Sequence, residues 1–345
     1  MIRARWSRLL LLLAPVFILP GQAAFALAPF SQSPNASAGE TRATRTVTDG
    51  ASRSVKIPAK VDRIVSLAPN LTETLYALGL ADKLVGDTSY CDIPPEAKLK
   101  PHVGGPQNPS IEAIVALRPD LVFATTSINR PETVDALERL GVSVYTTDPH
   151  TVQGMIDSFG RIADLAGAGE QGSALKANLH ARLDALHARL ASLPPVRVVF
   201  VVWLDPLITV GQNTFIADSL HWAGAESVVV SHQNWPQLSF EEVVRLQPDY
   251  LVFASSHSGE GAVTAKDLRS RAVWKDLHAV EQNHIAIISD EIDRPAPGLI
   301  DAIEQLAREL HPDAFRTSTA PAESHGKNSG RASTRKDEAL CGHPS

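Results

Sequence analysis

Apolar and helical patterns alternate along most of the chain. Short apolar runs such as RIVSLAP, DLVFATT and RVVFVVW are each followed by a segment in which apolar residues recur every three or four positions. Runs of the first kind are typical of buried strands, and segments of the second kind are typical of amphipathic helices. Strands that alternate with helices build parallel sheets covered by helices on both faces. The expected fold class is therefore α/β.

A long uninterrupted helical pattern separates two such sets of strands and helices. EQGSALKANLHARLDALHARLASL has no helix-breaking residue between Gly172 and Pro194. Its leucines recur at three- and four-residue steps, at Leu175, Leu179, Leu183, Leu186 and Leu190. We expect one backbone helix over residues 168–194 to join two Rossmann-like lobes, which span residues 46–167 and 195–312.

The two ends of the chain differ from the middle in composition. A basic start, MIRARWSR, a short apolar run and the small residues of GQAAFALA are the parts of a secretory signal peptide. We expect a cleaved signal peptide over residues 1–26 and a soluble, exported protein; an uncleaved anchor is disfavoured because Pro15 and Pro20 interrupt the apolar run. Residues 27–45 and 313–345 are poor in large apolar side chains, so a disordered linker and a disordered tail are expected.

Charge and cysteine content exclude several classes of protein. The formal net charge is -6 and Lys and Arg are not clustered, so no nucleic-acid partner is expected. Two cysteines, Cys91 and Cys341, cannot form a disulfide scaffold, and we expect them to stay unpaired. Neither lies near the expected cleavage site of the signal peptide, which argues against a lipid anchor.

The sequence motifs give little support for enzyme chemistry. H-E-x-x-H, paired C-x-x-C and G-x-S-x-G motifs do not occur, and the histidines lack the spacing of metal ligands. GAGEQG, residues 167–172, matches a dinucleotide-binding fingerprint, but it follows a helical segment rather than a strand. It is better explained as a helix-ending glycine and a turn. An exported α/β enzyme is therefore the least favoured class, and no metal, cofactor or catalytic residue is expected.

One sequence segment occurs twice, 129 residues apart. PSIEAIVALRPDLVFA and LSFEEVVRLQPDYLVFA each begin near a serine that can cap a helix, Ser110 and Ser239, and each helix should end at Pro-Asp before a buried strand. Each copy has a glutamate two residues after the serine, Glu112 and Glu241. Two interpretations remain open at this point. A carboxylate in the first helical turn is favourable in itself, or the two lobes present matching carboxylates to a symmetric partner.

Several segments, in this order along the chain, resemble one family of transport proteins: RIVSLAPNLTETLYALG, VGDTSYCDIPPEA, NPSIEAIVALRPDLVFA, WPQLSFEEVVRLQPDYLVFA and ISDEIDRPAPGLIDAIEQLAREL. They resemble the periplasmic cobalamin-binding proteins of vitamin B12 ABC importers, and related helical-backbone proteins for metal complexes, siderophores or haem. The resemblance implies a class III periplasmic binding protein fold and a monomer that delivers a corrinoid to an ABC permease dimer in the inner membrane. Glu112 and Glu241 match the carboxylates that dock the lobes onto arginine pockets of that dimer.

The resemblance also places four residues in the ligand cleft, from both lobes. Tyr90 and Trp235 match aromatic residues that pack on the corrin ring, and Asp290 and Arg294 match an acidic and a basic residue that line the cleft. These residue types suit the ligand, because a corrin is a broad, mostly apolar plate edged with amides. Each residue also has an ordinary structural explanation: an aromatic can anchor a loop, and Asp290 with Arg294 can form a surface ion pair.

Two aromatic residues of the family pattern are missing. Pro106 stands where a tryptophan is expected, and Thr125 stands where another aromatic is expected. Contacts from Trp203 or Tyr145 could replace them. These departures leave open a different corrinoid, a ferric siderophore or haem as the ligand, with the same two-lobed architecture.

Overall fold

Strands and helices alternate as expected through the part of the chain that the structure describes. The computed structural model describes residues 43–255, 265–271 and 274–316. The predicted signal peptide, most of the predicted linker, the tail beyond residue 316 and Cys341 with it lie outside these residues. Within the described ranges, no helix combines the length and the apolar composition needed to cross a membrane.

The N-terminal lobe is built on a parallel sheet that follows a short hairpin. The strands are β1 (Thr44–Thr48), β2 (Ser54–Pro58), β3 (Ile64–Ser66), β4 (Leu84–Gly86), β5 (Leu121–Thr125) and β6 (Val144–Thr147). β1 pairs with β2 antiparallel, and the other strands form one parallel sheet in the order β4-β3-β5-β6. The helices are α1 (Pro69–Ala77), α2 (Ile111–Ala116), α3 (Pro131–Arg139) and α4 (Val152–Ala166), with short 3-10 turns at Ala81–Lys83 and Pro95–Leu99.

Apolar side chains cover both faces of this sheet. In β5, Leu121 and Phe123 belong to one apolar cluster, and Val122 and Ala124 belong to the cluster on the other face. Every residue of β5 is buried. A strand that is buried on both faces has a continuous apolar sequence, rather than one in which apolar and polar residues alternate. This is why the run DLVFATT predicted a strand of a parallel sheet.

Two packed helices connect the lobes. The predicted backbone helix is present as α5 (Gly169–Leu190), and the repeated leucines of its second half, Leu183 among them, are buried in the core of the C-terminal lobe. α4 packs along α5 and also reaches both cores. Its Phe159 lies in the C-terminal core, whereas Ile162, one turn later, lies in the N-terminal core. The structure thus adds α4, which was expected to belong to the first lobe, to the connection between the lobes.

The C-terminal lobe repeats the plan with one antiparallel strand added. Its strands are β7 (Val196–Leu204), β8 (Leu207–Thr209), β9 (Ala225–Ser227), β10 (Tyr250–Ala254) and β11 (Ile285–Ile288). The order is β11-β10-β7-β8, with β9 parallel to the first half of β7 and β8 antiparallel to its second half. The helices are α6 (Phe215–Trp222), α7 (Phe240–Leu246), α8 (Ala265–Ser270), α9 (His278–Glu281), α10 (Leu299–Leu310) and α11 (Pro312–Phe315), with 3-10 turns at Trp274–Asp276 and Asp290–Asp293.

Both ends of the folded region reach slightly beyond the expected boundaries. β1 begins at Thr44, inside the segment expected to be a disordered linker. α11 lies at the start of the expected tail, where the guanidinium groups of Arg189 and Arg308 lie 4.9 and 5.3 Å from the ring centroid of Phe315. Because arginine planes stack favourably on aromatic rings, Phe315 holds this short helix against the C-terminal lobe.

Two glycines shape the junction between α4 and α5. Gly167 ends α4 in the left-handed conformation, with φ at 75°. The interpretation of GAGEQG as a helix end and a turn is therefore confirmed. Gly172 lies where the two helices approach closely, because a Cβ at this position would stand 2.4 Å from the Cβ of Ala163. The close packing of the connection requires the absence of a side chain here.

Gly172→Ala should destabilise the protein by about 1–3 kcal/mol, because the added methyl group would force α4 and α5 apart. Urea denaturation measures the free energy of unfolding. Gly160→Ala in α4 is the matched control, since the nearest atoms to its added methyl belong to the flexible end of Lys176, with Cδ at 2.8 Å. Both variants gain about the same helix propensity, up to ~1 kcal/mol. Equal stabilities of the two variants would contradict this role of Gly172.

Candidate ligand cleft and docking helices

The residues predicted to contact a ligand all follow strands along the chain. Tyr90 follows β4 in the N-terminal lobe, whereas Trp235 follows β9 and Asp290 and Arg294 follow β11 in the C-terminal lobe. The division between the lobes is therefore uneven, with a single residue from the first lobe. In open α/β sheets, ligands bind outside the carboxyl ends of the strands. Tyr90, Asp290 and Arg294 lie within a few residues of such strand ends, whereas Trp235 lies on a segment that runs alongside β8.

A weak ion pair joins the two lobes at this edge. Arg294 Nη1 of the C-terminal lobe lies 3.8 Å from Asp92 Oδ1 of the N-terminal lobe. Asp290 accepts a hydrogen bond from Ser255 Oγ at 2.6 Å, within its own lobe. The Arg294 and Asp92 side chains are both partly exposed. A pair of this kind contributes at most about 1 kcal/mol, so Arg294 can exchange Asp92 for a polar group of a ligand at small cost.

The loop that carries Tyr90 is fixed while the ring itself is free. The backbone N–H of Ser89 donates to the Gly104 carbonyl at 3.0 Å. The Cys91 thiol is buried and accepts a hydrogen bond from Thr72 Oγ1 at 3.2 Å, and burial raises its pKa. Cys91 thus anchors the loop through its buried, hydrogen-bonded thiol. Tyr90 is 68% exposed, so its ring can meet a ligand without any rearrangement of the loop.

Two exposed tryptophans lie on neighbouring segments of the C-terminal lobe. Trp235 is 52% exposed, and Trp203, near the end of β7, is 57% exposed. β8 lies between them: its Ile208 is the partner of Trp203 in the sheet and forms an isolated bridge with Gln237 on its other side. The Trp203 indole donates to the Asp205 carbonyl at 2.9 Å, which orients the ring.

The N-terminal lobe does not replace its two missing aromatics with Tyr145. Tyr145 is buried, packs edge-on against Phe123 with ring centroids 6.0 Å apart, and has a pKa raised by burial. Pro106 and Thr125 are buried as well. Of the two replacements considered from the sequence, only Trp203 has a ring that is accessible to a ligand.

A buried carboxylate that the sequence analysis did not identify also lies between the lobes. Glu73 on α1 is 9% exposed, and its Oε1 accepts a hydrogen bond from the backbone N–H of Gly298 at 3.1 Å. Its Oε2 is buried without a hydrogen-bond partner among the described residues. Beside it, the Asn70 amide donates to the Pro295 carbonyl at 3.5 Å. The sequence signal was present but ambiguous: a glutamate among the apolar residues of LTETLYALGL.

The repeated segment forms matching short helices with matching caps. Ser110 Oγ accepts the N–H of Ala113 at 3.1 Å at the start of α2, and Ser239 Oγ accepts the N–H of Glu242 at 3.2 Å at the start of α7. Both serine caps predicted from the sequence are therefore confirmed. The glutamates that follow them, Glu112 and Glu241, are both exposed on the first helical turn.

An arginine caps the other end of each helix: Arg63 directly precedes β3, and Arg197 lies at the start of β7. Arg63 donates to the Leu117 carbonyl at 2.6 Å, and Arg197 donates to the Leu246 carbonyl at 2.8 Å. The residues that follow, Arg118 and Gln247, both have positive φ, at 47° and 41°. Carbonyl groups at a helix end need such partners. The match between the lobes therefore includes the supports of the helices as well as their exposed glutamates.

A cavity of about 630 Å³ lies away from the predicted ligand residues. Its lining is formed around the start of α4, α6 and β9, and includes His150, Asn213, Asp218, His221 and Glu226. None of the four predicted ligand residues lines it. In the ranges that the structure describes, no group of three or more His, Cys, Asp or Glu side chains is placed to hold a metal ion.

Two α/β lobes joined by packed helices, with exposed aromatic rings on both lobes, are the architecture of a two-lobed substrate-binding protein. The chain belongs to the periplasmic binding protein family, whose model matches residues 64–292. The resemblance inferred from the quoted segments is therefore confirmed at family level. The relatives and structural neighbours are binding proteins rather than enzymes, as the motifs led us to expect.

Curated relatives cover most of the chain. The vitamin B12-binding protein of Vibrio cholerae serotype O1 is 32% identical over 255 residues, which are 73% of this chain and 90% of that protein. An uncharacterised ABC transporter substrate-binding lipoprotein of Bacillus subtilis, YvrC, is 31% identical over 280 residues, which are 79% of this chain and 87% of that protein. The family assignment thus extends to binding proteins of the ABC importer type.

Solved structures confirm the class III architecture. The periplasmic vitamin B12-binding protein BtuF of Vibrio cholerae has a TM-score of 0.66 at 29% identity, and the match covers 74% of this chain and 99% of that one. The periplasmic haem-binding protein BhuT, in complex with two haems, has a TM-score of 0.66 at 25% identity, and the match covers 73% of this chain and 98% of that one. The molybdate-binding protein MolA of Haemophilus influenzae has a TM-score of 0.68, and the match covers 79% of this chain and 92% of that one. At 20% identity, this likeness shows a shared fold alone.

Proposed function

We propose that this chain captures cobalamin or a related corrinoid between its lobes and delivers it to an ABC permease in the inner membrane. The observation that carries this proposal is the set of three exposed rings: Tyr90 after β4, Trp203 near the end of β7, and Trp235 on the segment beside β8. A relative that is 32% identical to this chain is named a vitamin B12-binding protein. Residues and relatives thus favour the same ligand class.

The chemistry of the three rings and two charges suits a flat, largely apolar ligand. Aromatic side chains bury about 150–250 Å² each, and they prefer to stack on planar groups. Tyr90 from one lobe and the two tryptophans from the other can cover opposite faces of such a plate. Asp290 and Arg294 then offer one acceptor and one donor group to amides at its rim.

Haem is the second candidate ligand, and Tyr90 is the observation that favours it. A phenol oxygen is a known type of axial ligand for haem iron, and the Tyr90 ring is largely exposed at the edge of the cleft. A structural neighbour at 25% identity is named a haem-binding protein. Buried Pro106 and Thr125, in place of two aromatics, also leave less aromatic surface for a corrin on the N-terminal lobe.

Docking onto the permease is assigned to the repeated helices. Glu112 and Glu241 are exposed at equivalent positions of the two lobes, and the caps at both ends of each helix hold them in place. A pair of matching carboxylates fits a permease dimer that presents one arginine site per subunit. The protein is expected to act as a monomer in the periplasm, after cleavage of the signal peptide over residues 1–26.

Isothermal titration of the mature chain, residues 27–345, with cyanocobalamin tests the ligand. We expect one-to-one binding. Haem and a ferric siderophore serve as parallel titrants. Heat from haem but not from cyanocobalamin would transfer the assignment to haem, and Tyr90→Phe should then change the absorption spectrum of the bound haem. Folded protein that binds neither cyanocobalamin nor haem would overturn both assignments.

A further inference from the structure

One buried carboxylate links the lobes beside the predicted cleft. Glu73 lies on α1 of the N-terminal lobe and accepts the N–H of Gly298 at 3.1 Å. Gly298 is the residue before the first turn of α10 in the C-terminal lobe. The carboxylate therefore lies at a helix N-terminus, where free N–H groups and the helix dipole favour an acceptor. The contact connects a helix of one lobe with a helix of the other.

The segment that Glu73 holds also carries residues assigned to the ligand. Arg294 lies four residues before Gly298, and it forms the 3.8 Å ion pair with Asp92 of the opposite lobe. Pro295, next to Arg294, accepts the Asn70 amide from α1. We propose that Glu73 is a positioning residue, which sets the spacing of the two lobes and holds Arg294 at the edge of the cleft. The part of this proposal that concerns Arg294 rests on the proposed ligand function, whereas the part that concerns lobe spacing does not.

The environment of Gly298 indicates how closely the lobes approach. A Cβ on Gly298 would stand 2.9 Å from Glu73 Oε1 and 2.9 Å from Glu291 Cδ. The backbone of Gly298, with φ at -62°, is one that alanine adopts without strain. The glycine is therefore required by the two carboxyl groups on either side of it and not by its own conformation.

Protonation of Glu73 should favour the contact between the lobes. Burial, the largest cause, raises the pKa of Glu73, and the nearby Glu291 and Asp301 raise it further, while the Gly298 N–H and Arg294 act in the opposite direction. Burial raises the pKa of Glu291 as well. Separation of the lobes would return Glu73 to water and to its ordinary pKa. Because the pKa of Glu73 is raised when the lobes are in contact, protonation of Glu73 stabilises that contact. This stabilisation is fully present below the ordinary pKa of a glutamate and is lost as the pH rises through the raised pKa of Glu73.

The distance between the lobes provides a direct test. Spin labels at Arg139→Cys in α3 and Glu281→Cys in α9 report it by pulsed electron spin resonance, in a Cys341→Ser background. The buried Cys91 should not react with the label. We expect Glu73→Ala to lengthen and broaden the distance distribution. Glu132→Ala, which removes an exposed carboxylate from the first turn of α3, is the control and should leave the distribution unchanged.

Glu73→Gln separates the charge from the contact. The amide keeps an oxygen that can accept the Gly298 N–H but cannot ionise. This variant should keep the narrow distribution that the parent protein has in mild acid, and should keep it as the pH rises to neutral and above. The parent distribution should broaden over the same interval. A parent distribution that narrows as the pH rises would contradict the role of Glu73.

Gly298→Ala approaches the same contact from the other lobe. Its methyl group should push Glu73 and Glu291 away and broaden the distribution, whereas Gly169→Ala, at the start of α5, should not. Unchanged distances in both Glu73→Ala and Gly298→Ala would overturn the proposal.

The affinity for cyanocobalamin is measured in parallel, and Glu73→Ala should lower it by about 5-fold or more. If the parent protein does not bind cyanocobalamin, the ligand assignment fails and the distances still decide the role of Glu73. If the parent protein binds cyanocobalamin and the distances are unchanged in both variants, the ligand assignment is supported and the role of Glu73 is not.

Discussion

Glu112→Arg combined with Glu241→Arg should abolish stimulation of the importer's ATPase while the affinity for ligand stays unchanged. Both carboxylates are exposed on the first turns of α2 and α7. If the two glutamates dock onto arginines of the permease as proposed, each reversal brings two cations together, and a like-charge contact at an interface costs several kcal/mol. The measurement is the ATPase rate of the cognate importer in proteoliposomes, with ligand-loaded protein added at increasing concentration.

The lobes themselves should tolerate these reversals. The capping bonds of Ser110 and Ser239 involve the serine hydroxyls and backbone N–H groups, which both remain. A cation in a first helical turn is unfavourable by about 0.3–1 kcal/mol, which is small against the stability of a folded domain. Ligand titration of the variant therefore serves as a test of its folding.

A charge-matched variant controls for net charge. Glu132→Arg combined with Glu281→Arg makes the same change at two exposed glutamates on α3 and α9. It should stimulate the importer normally. Single reversals of Glu112 or Glu241 should give intermediate stimulation, because one lobe can still dock. The docking role is excluded if the control variant fails equally, or if the double reversal at Glu112 and Glu241 retains full stimulation.

The short helices could be predicted in detail because their determinants are local. A capping serine, apolar residues at helical spacing and the Pro-Asp pair all fall within about a dozen residues of sequence. The same holds for the leucines of α5, whose spacing alone predicts a helix with one buried face. The repetition of the segment at a constant offset then predicted that both lobes use the same unit.

Contacts between distant segments could not be predicted in this way. Glu73 and Gly298 lie 225 residues apart in the chain, and nothing in either local segment specifies the other. The accessibility of aromatic residues was equally hidden. Tyr145 belongs to a strand that is buried on both faces, so its position in an apolar run does not distinguish it from Trp203. Exposure depends on what covers each face of the two sheets, which is a property of the whole fold.

Trp235→Ala should weaken ligand binding by about 1–3 kcal/mol if its ring stacks on the ligand, which is roughly 5- to 150-fold in Kd. Trp203→Ala should have an effect of the same order, because the two rings have similar exposure on neighbouring segments of the lobe. Each indole that covers a flat ligand removes apolar surface from water on both sides of the contact. Titration calorimetry of the two single variants and of the double variant measures these losses.

Two further variants, Trp235→Phe and Trp222→Ala, decide whether the loss of affinity in Trp235→Ala is due to stacking of the ring. Trp235→Phe keeps a flat ring and should recover most of the affinity. Trp222→Ala removes a tryptophan that precedes β9, at the opposite end of the strand from Trp235, and should leave the affinity unchanged. If Trp235→Ala binds as tightly as the parent protein, Trp235 is a loop residue without a ligand role.

The double variant Trp203→Ala with Trp235→Ala tests whether the two rings act together. If it loses less binding free energy than the two single variants combined, both rings contact the same part of the ligand, since the effects of residues that share one partner are not additive. Simple additivity would instead place them on separate parts of the plate, which a corrin is broad enough to allow.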